Sequence, residues 1–372
     1  YGDHRDLHLS IRRQRQMCIR DRYCRLSDPK RGYELPIRCA FTLGWTSLMV
    51  LIIPGLAFAQ FVKTYPGTGE HATRMFEDSW PQPSDKDSND VVIRYQVRTA
   101  HTDATGEWVS GIIYVLRVEA HGSMMANGLA LRLASVQVSD LQSAHISKNG
   151  EPPTAIQPVA HGPMDGSQDA AFILYENVRD AFPGAAGGDF INTQHGDAVH
   201  LAENLELELQ FKVPLHFSIS RPPYDLFIFR SGNYPHQTHL PAFRGAGSGG
   251  LMDLFGTEDD CSNEVCITPD GNVVDNIGRY YVNAQGLPWV LDYPGQSAWP
   301  KESVSVDQAF PQLSEWVESG GHTNTDWWLY GDPQYLFNLF APPSVPSLFP
   351  GATWVLLGAL AGLGALRLGR RR

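Results

Sequence analysis

Apolar and polar residues alternate along several stretches of this 372-residue chain. The alternation is cleanest in residues 205–213, where leucine, phenylalanine and valine occupy every second position and polar or charged residues lie between them. A period of two is typical of a β-strand that has one face in a core and the other in water. Similar runs predict further strands at residues 91–97, 108–118, 129–133, 172–175, 226–229 and 289–291.

Turn-forming residues separate these runs. The chain has 35 Gly and 26 Pro, and its glycines follow no repeating period, which excludes a collagen-like protein. The pattern predicts a mainly β fold, an antiparallel β-sandwich or jelly-roll-like domain with few helices. One helix is predicted over residues 307–319, where Leu313, Trp316 and Val317 share a face and Gly320 and Gly321 follow as a stop signal.

An apolar segment precedes the predicted β domain. Residues 39–59 carry no charge, follow Arg31 and Arg38, and end in the small-residue pattern of Ala57, Phe58 and Ala59. These features are typical of a secretory signal peptide, which we place at residues 33–59; an uncleaved membrane helix is the alternative. Residues 1–32 are predicted to lie outside the fold, as either a non-native segment or a disordered basic extension.

A second apolar segment follows the domain. Residues 345–366 are uncharged, and four arginines come after them. This length suits a transmembrane helix, and the arginines are expected to stay on the cytoplasmic side. We therefore predict that residues 343–372 form a membrane anchor and sorting tail for the exported body at residues 60–342. A buried core helix is the alternative.

Acidic residues are concentrated in the body. Residues 60–342 hold 15 basic and 35 acidic residues, a net charge of −20 compared with −11 for the whole chain. Such a charge repels nucleic-acid phosphates, so we predict no nucleic-acid partner. The body also contains two of the five cysteines, Cys261 and Cys266, which predict a disulfide in an oxidising compartment. A two-cysteine metal site is the alternative.

Two acidic loops are candidates for binding Ca²⁺, which prefers carboxylate and amide oxygens. The first offers Asp85, Asp87, Asn89 and Asp90 at close spacing, without the glycine and glutamate of an EF-hand, and Glu77 and Asp78 are near enough in sequence to contribute. The second offers a larger set of oxygen ligands, namely Asp259, Asp260, Asp270, Asn272 and Asp275. Ordinary turn chemistry and a solvated acidic surface are the respective alternatives.

Motifs for catalysis are weak. Residues 245–250 match G-x-G-x-x-G but lack a preceding strand and a following helix, and His236 and His239 lie on a proline-rich loop without the glutamate of a zinc protease motif. We therefore predict that the protein is not an enzyme.

Ordered motifs along the body resemble the LruC-domain family of bacterial exported proteins. Residues 76–81 are similar to its F-E-D-x-W-P motif, and residues 85–92 to its acidic G-D-Y-D-F-N-D-L-V-V motif. Ser84 and Ser88 replace the usual Gly and Phe of that second motif. Later matches follow in family order at residues 227–229, 239–241, 254–260, 278–281, 286–289 and 315–321. The resemblance implies an exported envelope protein without established enzymatic activity, and it supports Ca²⁺ at the first loop.

The end of the chain has a resemblance of its own. Residues 344–348, the apolar segment and the final arginines are similar to bacterial sorting tails of the PEP-CTERM and IPTL-CTERM kinds. That likeness implies a membrane protease of the exosortase type as a partner.

Together these features predict an exported, envelope- or surface-anchored protein with Ca²⁺-stabilised acidic loops, which binds or adheres to an unidentified extracellular ligand. Two alternatives stay open. One is a polysaccharide-active hydrolase, because carboxylates are abundant and Trp327 and Trp328 form an adjacent aromatic pair, for which packing is the competing explanation. The other is a structural protein of the surface coat.

Overall fold

Strands dominate the secondary structure. The computed structural model describes residues 61–339, except residues 161–168, 186–189, 195, 197, 219–221, 223, 246–253, 269, 296–297 and 338. Its strands are β1 (Phe61–Tyr65), β2 (Ala72–Phe76), β3 (Val91–His101), β4 (Trp108–Ala120), β5 (Asn127–Gln137), β6 (Leu141–Lys148), β7 (Thr154–Ala155), β8 (Val159–Ala160), β9 (Asp169–Tyr175), β10 (Asn204–His216), β11 (Asp225–Arg230), β12 (Asn233–Thr238), β13 (Val265–Ile267), β14 (Val273–Asp275), β15 (Val290–Pro294), β16 (Trp299–Pro300) and β17 (Leu336–Phe337). The helices are α1 (Val306–Ala309) and α2 (Leu313–Glu318), with 3₁₀ turns at Val138–Asp140, Val178–Ala181 and Trp327–Tyr330.

Two antiparallel sheets carry most of these strands. The larger follows the order β15–β2–β3–β4–β10–β6–β7, and β1 pairs with the same edge of β3 as β2, further along that strand. The smaller follows the order β12–β11–β5–β9–β8. The prediction of a mainly β, antiparallel fold with few helices is confirmed, and each predicted strand overlaps an observed one.

One hydrophobic core joins the two sheets. Tyr95 and Leu207 enter it from the larger sheet, and Leu131, Phe172 and Ile228 enter it from the smaller one. The sheets therefore face each other as two layers. Burying an apolar side chain of this size contributes about 1.5–3 kcal/mol, so the alternation of apolar residues is what fixes which face of each strand turns inward.

The alternation fails at one position in β10. Leu205, Leu207, Leu209 and Phe211 are buried as predicted, but Val213 is 68% exposed. The pairing of β10 with β4 shifts register between Gln210 and Leu215. A bulge adds residues to one strand and changes which side chains face the core, so the period of two does not hold across it.

The single helix predicted over residues 307–319 is wrong in its continuity. The structure has α1 and α2 instead, with Phe310 between them in a non-helical conformation (φ −127°, ψ 84°). Pro311 follows, and a proline pushes the residue before it out of the helical region. The predicted stop is confirmed, since Gly320 and Gly321 both have positive φ after α2.

The disulfide is confirmed. Cys261 and Cys266 are bonded, with their Cα atoms 6.4 Å apart. Within the described ranges, the helices are too short and too polar to cross a membrane. The extension at residues 1–32, the signal peptide at residues 33–59 and the tail at residues 343–372 lie outside the described residues, so their assignments stay predictions.

Candidate metal centre

Five carboxylates meet where β2 ends and β3 begins. Glu77 and Asp78 directly follow β2, Asp85 and Asp87 lie in the connecting loop, and Asp90 directly precedes β3. Single oxygens of Glu77, Asp85 and Asp87 lie within 4.8 Å of one another, and the same is true of Glu77, Asp78 and Asp90. Glu77 therefore belongs to two groups, each of which offers three oxygens toward the roughly six to eight that a Ca²⁺ ion takes.

Local backbone geometry gathers the loop carboxylates. Lys86 and Ser88 both adopt left-handed conformations, with φ of 60° and 53°, and thereby fold the segment tightly around Asp87. Each such residue costs about 1–2 kcal/mol relative to ordinary backbone. The Asp87 carboxylate caps the turn, because its Oδ1 accepts a hydrogen bond from the backbone N–H of Asn89 at 3.2 Å.

A segment more than two hundred residues downstream packs on this loop. The backbone N–H of Ser303 donates to Asp87 Oδ2 at 2.9 Å, and Asn89 Nδ2 donates to the carbonyl oxygen of Pro300 at 3.2 Å. Between these anchors lies Glu302, half-buried beside the cluster. The fold thus brings a sixth acidic side chain close to the first five.

The loop between β4 and β5 closes the other side of the cluster. Ser123 Oγ and Asn127 Nδ2 both donate to Asp78 Oδ2. The backbone N–H of Asp78 in turn donates to Asp90 Oδ2 at 2.7 Å. Gly122 in the same loop packs closely against Asn89. Only glycine fits there, because a Cβ atom at position 122 would lie only 1.8 Å from Asn89 Oδ1.

The electrostatics of the cluster disfavour ionisation when no cation is bound. Burial raises the pKa of Asp87 to about 8 and the pKa values of Glu77 and Asp90 above their usual range, and neighbouring carboxylates push in the same direction. The pKa of Glu302 is raised to about 7, again first by burial and then by Asp85. The neighbouring charges that raise these pKa values all belong to carboxylates. A cation bound among them would offset this repulsion and favour the ionised carboxylates.

The donor set fits a hard divalent cation. Glu77 is 5% exposed and Asn89 is fully buried. Within the described part of the chain, Glu77 Oε2 and Asn89 Oδ1 have no hydrogen-bond partner. A buried oxygen without a donor costs free energy, whereas Ca²⁺ binds carboxylate and amide oxygens of this kind.

The structure brings together three of the four residues predicted in the first loop, namely Asp85, Asp87 and Asp90. With them lie Glu77 and Asp78, which the sequence analysis had placed near enough to contribute. The fourth, Asn89, lies against them through its contact with Asp87. The sequence analysis missed Glu302, since nothing in the local pattern around residue 302 connects it with a loop so distant along the chain.

Similarity to known proteins begins close to this site. A family described as a domain of unknown function, DUF4842, matches residues 108–328, which is more than half of the chain. The chain belongs to the DUF4842 family. The DUF4842 match starts at the first residue of β4, so it includes Ser123, Asn127 and Glu302, whereas Glu77 and the first acidic loop precede it.

One solved structure shares the fold of this DUF4842 protein. It is the crystal structure of a candidate lipoprotein from Bacteroides ovatus, and the alignment covers 75% of this chain and 76% of that chain with a TM-score of 0.52. The sequences are 18% identical, a level at which the likeness shows the fold alone. No curated protein is significantly similar to the chain.

The second predicted loop lies within the DUF4842 match, and its first two acids are engaged elsewhere. Asp259 Oδ2 lies 3.9 Å from Lys86 Nζ. Asp260 Oδ1 accepts hydrogen bonds from Trp80 Nε1 and Ser262 Oγ, both at 2.7 Å. Its Oδ2 accepts from the backbone N–H groups of Gly256 at 2.8 Å and Ser262 at 3.0 Å. Asp260 therefore serves as a buried anchor for the turn and for Trp80.

The remaining members of the second loop are exposed. Asp270 and Asn272 bond to each other at the turn between β13 and β14, and Asp275 Oδ1 accepts a hydrogen bond from the N–H of Ile277. Among the described residues, no three acidic side chains of this loop lie close enough together to hold a metal ion. The second-loop Ca²⁺ site therefore stays a prediction, and its carboxylates either accept hydrogen bonds already or face solvent.

A buried histidine forms another polar network in the DUF4842 region. His239 Nδ1 lies 3.0 Å from both oxygens of Asp225, and Nε2 lies 2.8 Å from Gln237 Oε1. Arg132 pairs with the same carboxylate at 2.7 Å. His239 is fully buried, and both of its ring nitrogens have partners. The His239–Asp225 pair therefore serves as a structural element of the core.

The aromatic pair also serves packing. Trp327 is 2% exposed and contacts Phe310 and Tyr293, while Trp328 stacks on Tyr293 with ring centroids 5.5 Å apart. The packing interpretation of these residues is confirmed.

Proposed function

We propose that this chain is an exported protein of the cell envelope or cell surface whose β domain binds Ca²⁺ at the acidic cluster and engages an extracellular ligand without catalysis. The observation that carries the proposal is the cluster of five carboxylates around Glu77, four of them buried and one, Asp85, exposed. Extracellular Ca²⁺ is abundant enough to fill even weak sites, so an exported protein is well placed to use such a cluster.

Several features support export. The signal-like residues 33–59 precede the domain, and a disulfide joins Cys261 and Cys266. The LruC-like motifs imply an exported protein, and the Bacteroides ovatus protein of similar fold is described as a candidate lipoprotein. Each of these points to a location outside the cytoplasm.

Thermal unfolding of the full chain in detergent, with millimolar Ca²⁺ or with EDTA, tests the metal part. We expect the Tm to rise in Ca²⁺ and the rise to disappear in the double variant Asp85→Asn/Asp87→Asn. The matched control is Glu206→Gln/Glu208→Gln, which removes the same charge from the outer face of β10. An identical Tm in Ca²⁺ and EDTA for the unmodified chain would reject a Ca²⁺-binding function.

We also propose that residues 343–372 anchor the protein and are processed by a sorting protease of the exosortase type. The uncharged segment and the arginines after it support this proposal. Deleting residues 343–372 should shift the protein from the membrane fraction to the medium, as measured by fractionation and immunoblotting. Retention of the shortened chain in the membrane fraction would argue against the anchor.

The ligand-binding proposal has two competitors that give different results. A binding protein should retain a glycan or protein ligand without turnover, whereas a polysaccharide hydrolase should release reducing ends. A coat protein should form high-order assemblies in light scattering. Reducing-end assays and light scattering on the same Ca²⁺-loaded preparation separate the three.

A further inference from the structure

The acidic cluster has the geometry of two adjoining sites. The first group consists of Glu77, Asp85 and Asp87, and the second of Glu77, Asp78 and Asp90; in each, the three oxygens lie within 4.8 Å of one another. A carboxylate has two oxygens and can bridge two ions, and paired metal sites in proteins commonly hold their ions about 3.5–4 Å apart. Glu77 occupies the bridging position.

The charge of the cluster exceeds what one divalent ion can balance. Five ionised carboxylates carry five negative charges, so one divalent ion would leave three and two would leave one. Among the described residues, no lysine or arginine forms a salt bridge with any of the five. Lys86 pairs with Asp259, and Arg230 reaches only the backbone oxygen of Asp78 at 3.5 Å. Asp78 and Asp90 accept hydrogen bonds but have no cationic partner, and buried carboxylates in that position are costly, which favours a second cation at the second group.

Unpartnered oxygens mark the place independently of the acid count. Glu77 is more than nine-tenths buried, lies in both groups, and leaves Oε2 without a hydrogen-bond donor in the part of the chain that the structure describes. Asn89 Oδ1 also has no donor in that part of the chain, and it lies against Gly122. A buried oxygen without a donor is costly unless a ligand meets it, and among the described residues no protein group donates to either of these two oxygens.

We propose that the cluster binds two divalent cations that share Glu77, one held with Asp85 and Asp87 and the second held with Asp78 and Asp90. This inference rests on the proposed Ca²⁺ function and adds a second ion to it. The second ion lies against the loop between β4 and β5, because Asp78 is held there by Ser123 and Asn127. Occupancy of this position ties that loop to the strand ends of the larger sheet.

Stoichiometry and spin coupling test the proposal on the full chain in detergent. After treatment with chelator, equilibrium dialysis with Ca²⁺ should give two ions per chain. Mn²⁺ in place of Ca²⁺ should give an exchange-coupled electron paramagnetic resonance signal, because two ions that share one carboxylate interact magnetically. Asp90→Asn, which keeps the side-chain shape, should reduce the stoichiometry to one and remove the coupling, while Glu206→Gln should change neither.

Each result has a defined meaning. One ion per chain, or two ions without spin coupling, would overturn the shared two-ion site and leave a Ca²⁺-binding function standing. No bound ion would overturn both. Should Asp90→Asn unfold, as judged by circular dichroism, Asp78→Asn takes its place, and retention of two coupled ions in either folded variant would reject the assignment of the second site.

Discussion

The two acidic loops look alike in sequence and differ in what surrounds their carboxylates. Around Glu77, five acidic side chains converge, Glu77 Oε2 has no hydrogen-bond donor, and among the described residues no lysine or arginine forms a salt bridge with any of the five. In the loop that contains Asp260, that carboxylate accepts four hydrogen bonds, and Asp270 and Asp275 face water. Acid-rich spacing alone therefore does not say whether the carboxylates converge in the fold. What distinguishes the two loops is the balance between buried oxygens and available donors.

The largest effect that separates the loops should come from Asp260→Ala. This change leaves the donors of Trp80, Gly256 and Ser262 unpaired in a buried turn, and hydrogen bonds to a charged acceptor contribute about 1.5–3 kcal/mol each. We expect the free energy of unfolding to fall by about 3 kcal/mol in urea titrations, in both Ca²⁺ and EDTA. A loss that appears only in Ca²⁺ would show that Asp260 belongs to a metal site after all.

A slightly smaller effect, limited to Ca²⁺, should follow from Asp85→Asn/Asp87→Asn. Ligand binding stabilises a fold by about 2.7 kcal/mol when the free ion is at 100 times its Kd. The double variant should lose this increment in Ca²⁺. In EDTA the loss should be smaller, because the relief of repulsion among the acids offsets the loss of one of the two hydrogen bonds that Asp87 accepts. Urea titrations under both conditions measure the difference, and an equal loss in EDTA would assign the two residues a structural role instead.

The same contrast explains how far the sequence could predict this molecule. Alternation located β10 and the core residues Leu205 and Leu207, because burial of one face is a local property of a strand. It misplaced Val213, since a bulge depends on the partner strands. The proximity of Asp85 and Asp87 was predictable because the two residues are close neighbours in the chain. Glu302 was not, because only the folded chain brings its segment to that loop.

Solution pH should distinguish the cluster from the rest of the domain. In EDTA, Asp87 has a pKa of about 8 in the fold, compared with about 3.9 for an unperturbed aspartate, and Glu302 has a pKa of about 7. The folded state therefore holds protons that the unfolded state releases. The stability from these groups is fully present below about pH 4 and is lost as the pH rises through about 7–8.

We expect the free energy of unfolding in EDTA to fall by about 1–2 kcal/mol between pH 5 and 8. This is less than the shifted pKa values alone would give, because water that enters the metal-free loop screens its charges. In Ca²⁺ the trend should reverse, since the ion binds the ionised carboxylates. Urea titrations across this range measure both slopes, and Asp87→Asn should flatten the slope in EDTA. Equal slopes in Ca²⁺ and EDTA would contradict an ion at this cluster.

The smallest effect should come from Asp270→Asn/Asp275→Asn in the exposed hairpin of the second loop. Both side chains face solvent, and surface substitutions of this kind usually change stability by less than about 0.5 kcal/mol. The Tm in Ca²⁺ and the number of bound ions should both match the unmodified chain, because neither carboxylate belongs to a convergent group. A bound ion lost on this change would place a metal in the second loop, and the donor balance that separates the two loops would then fail as a criterion for such sites.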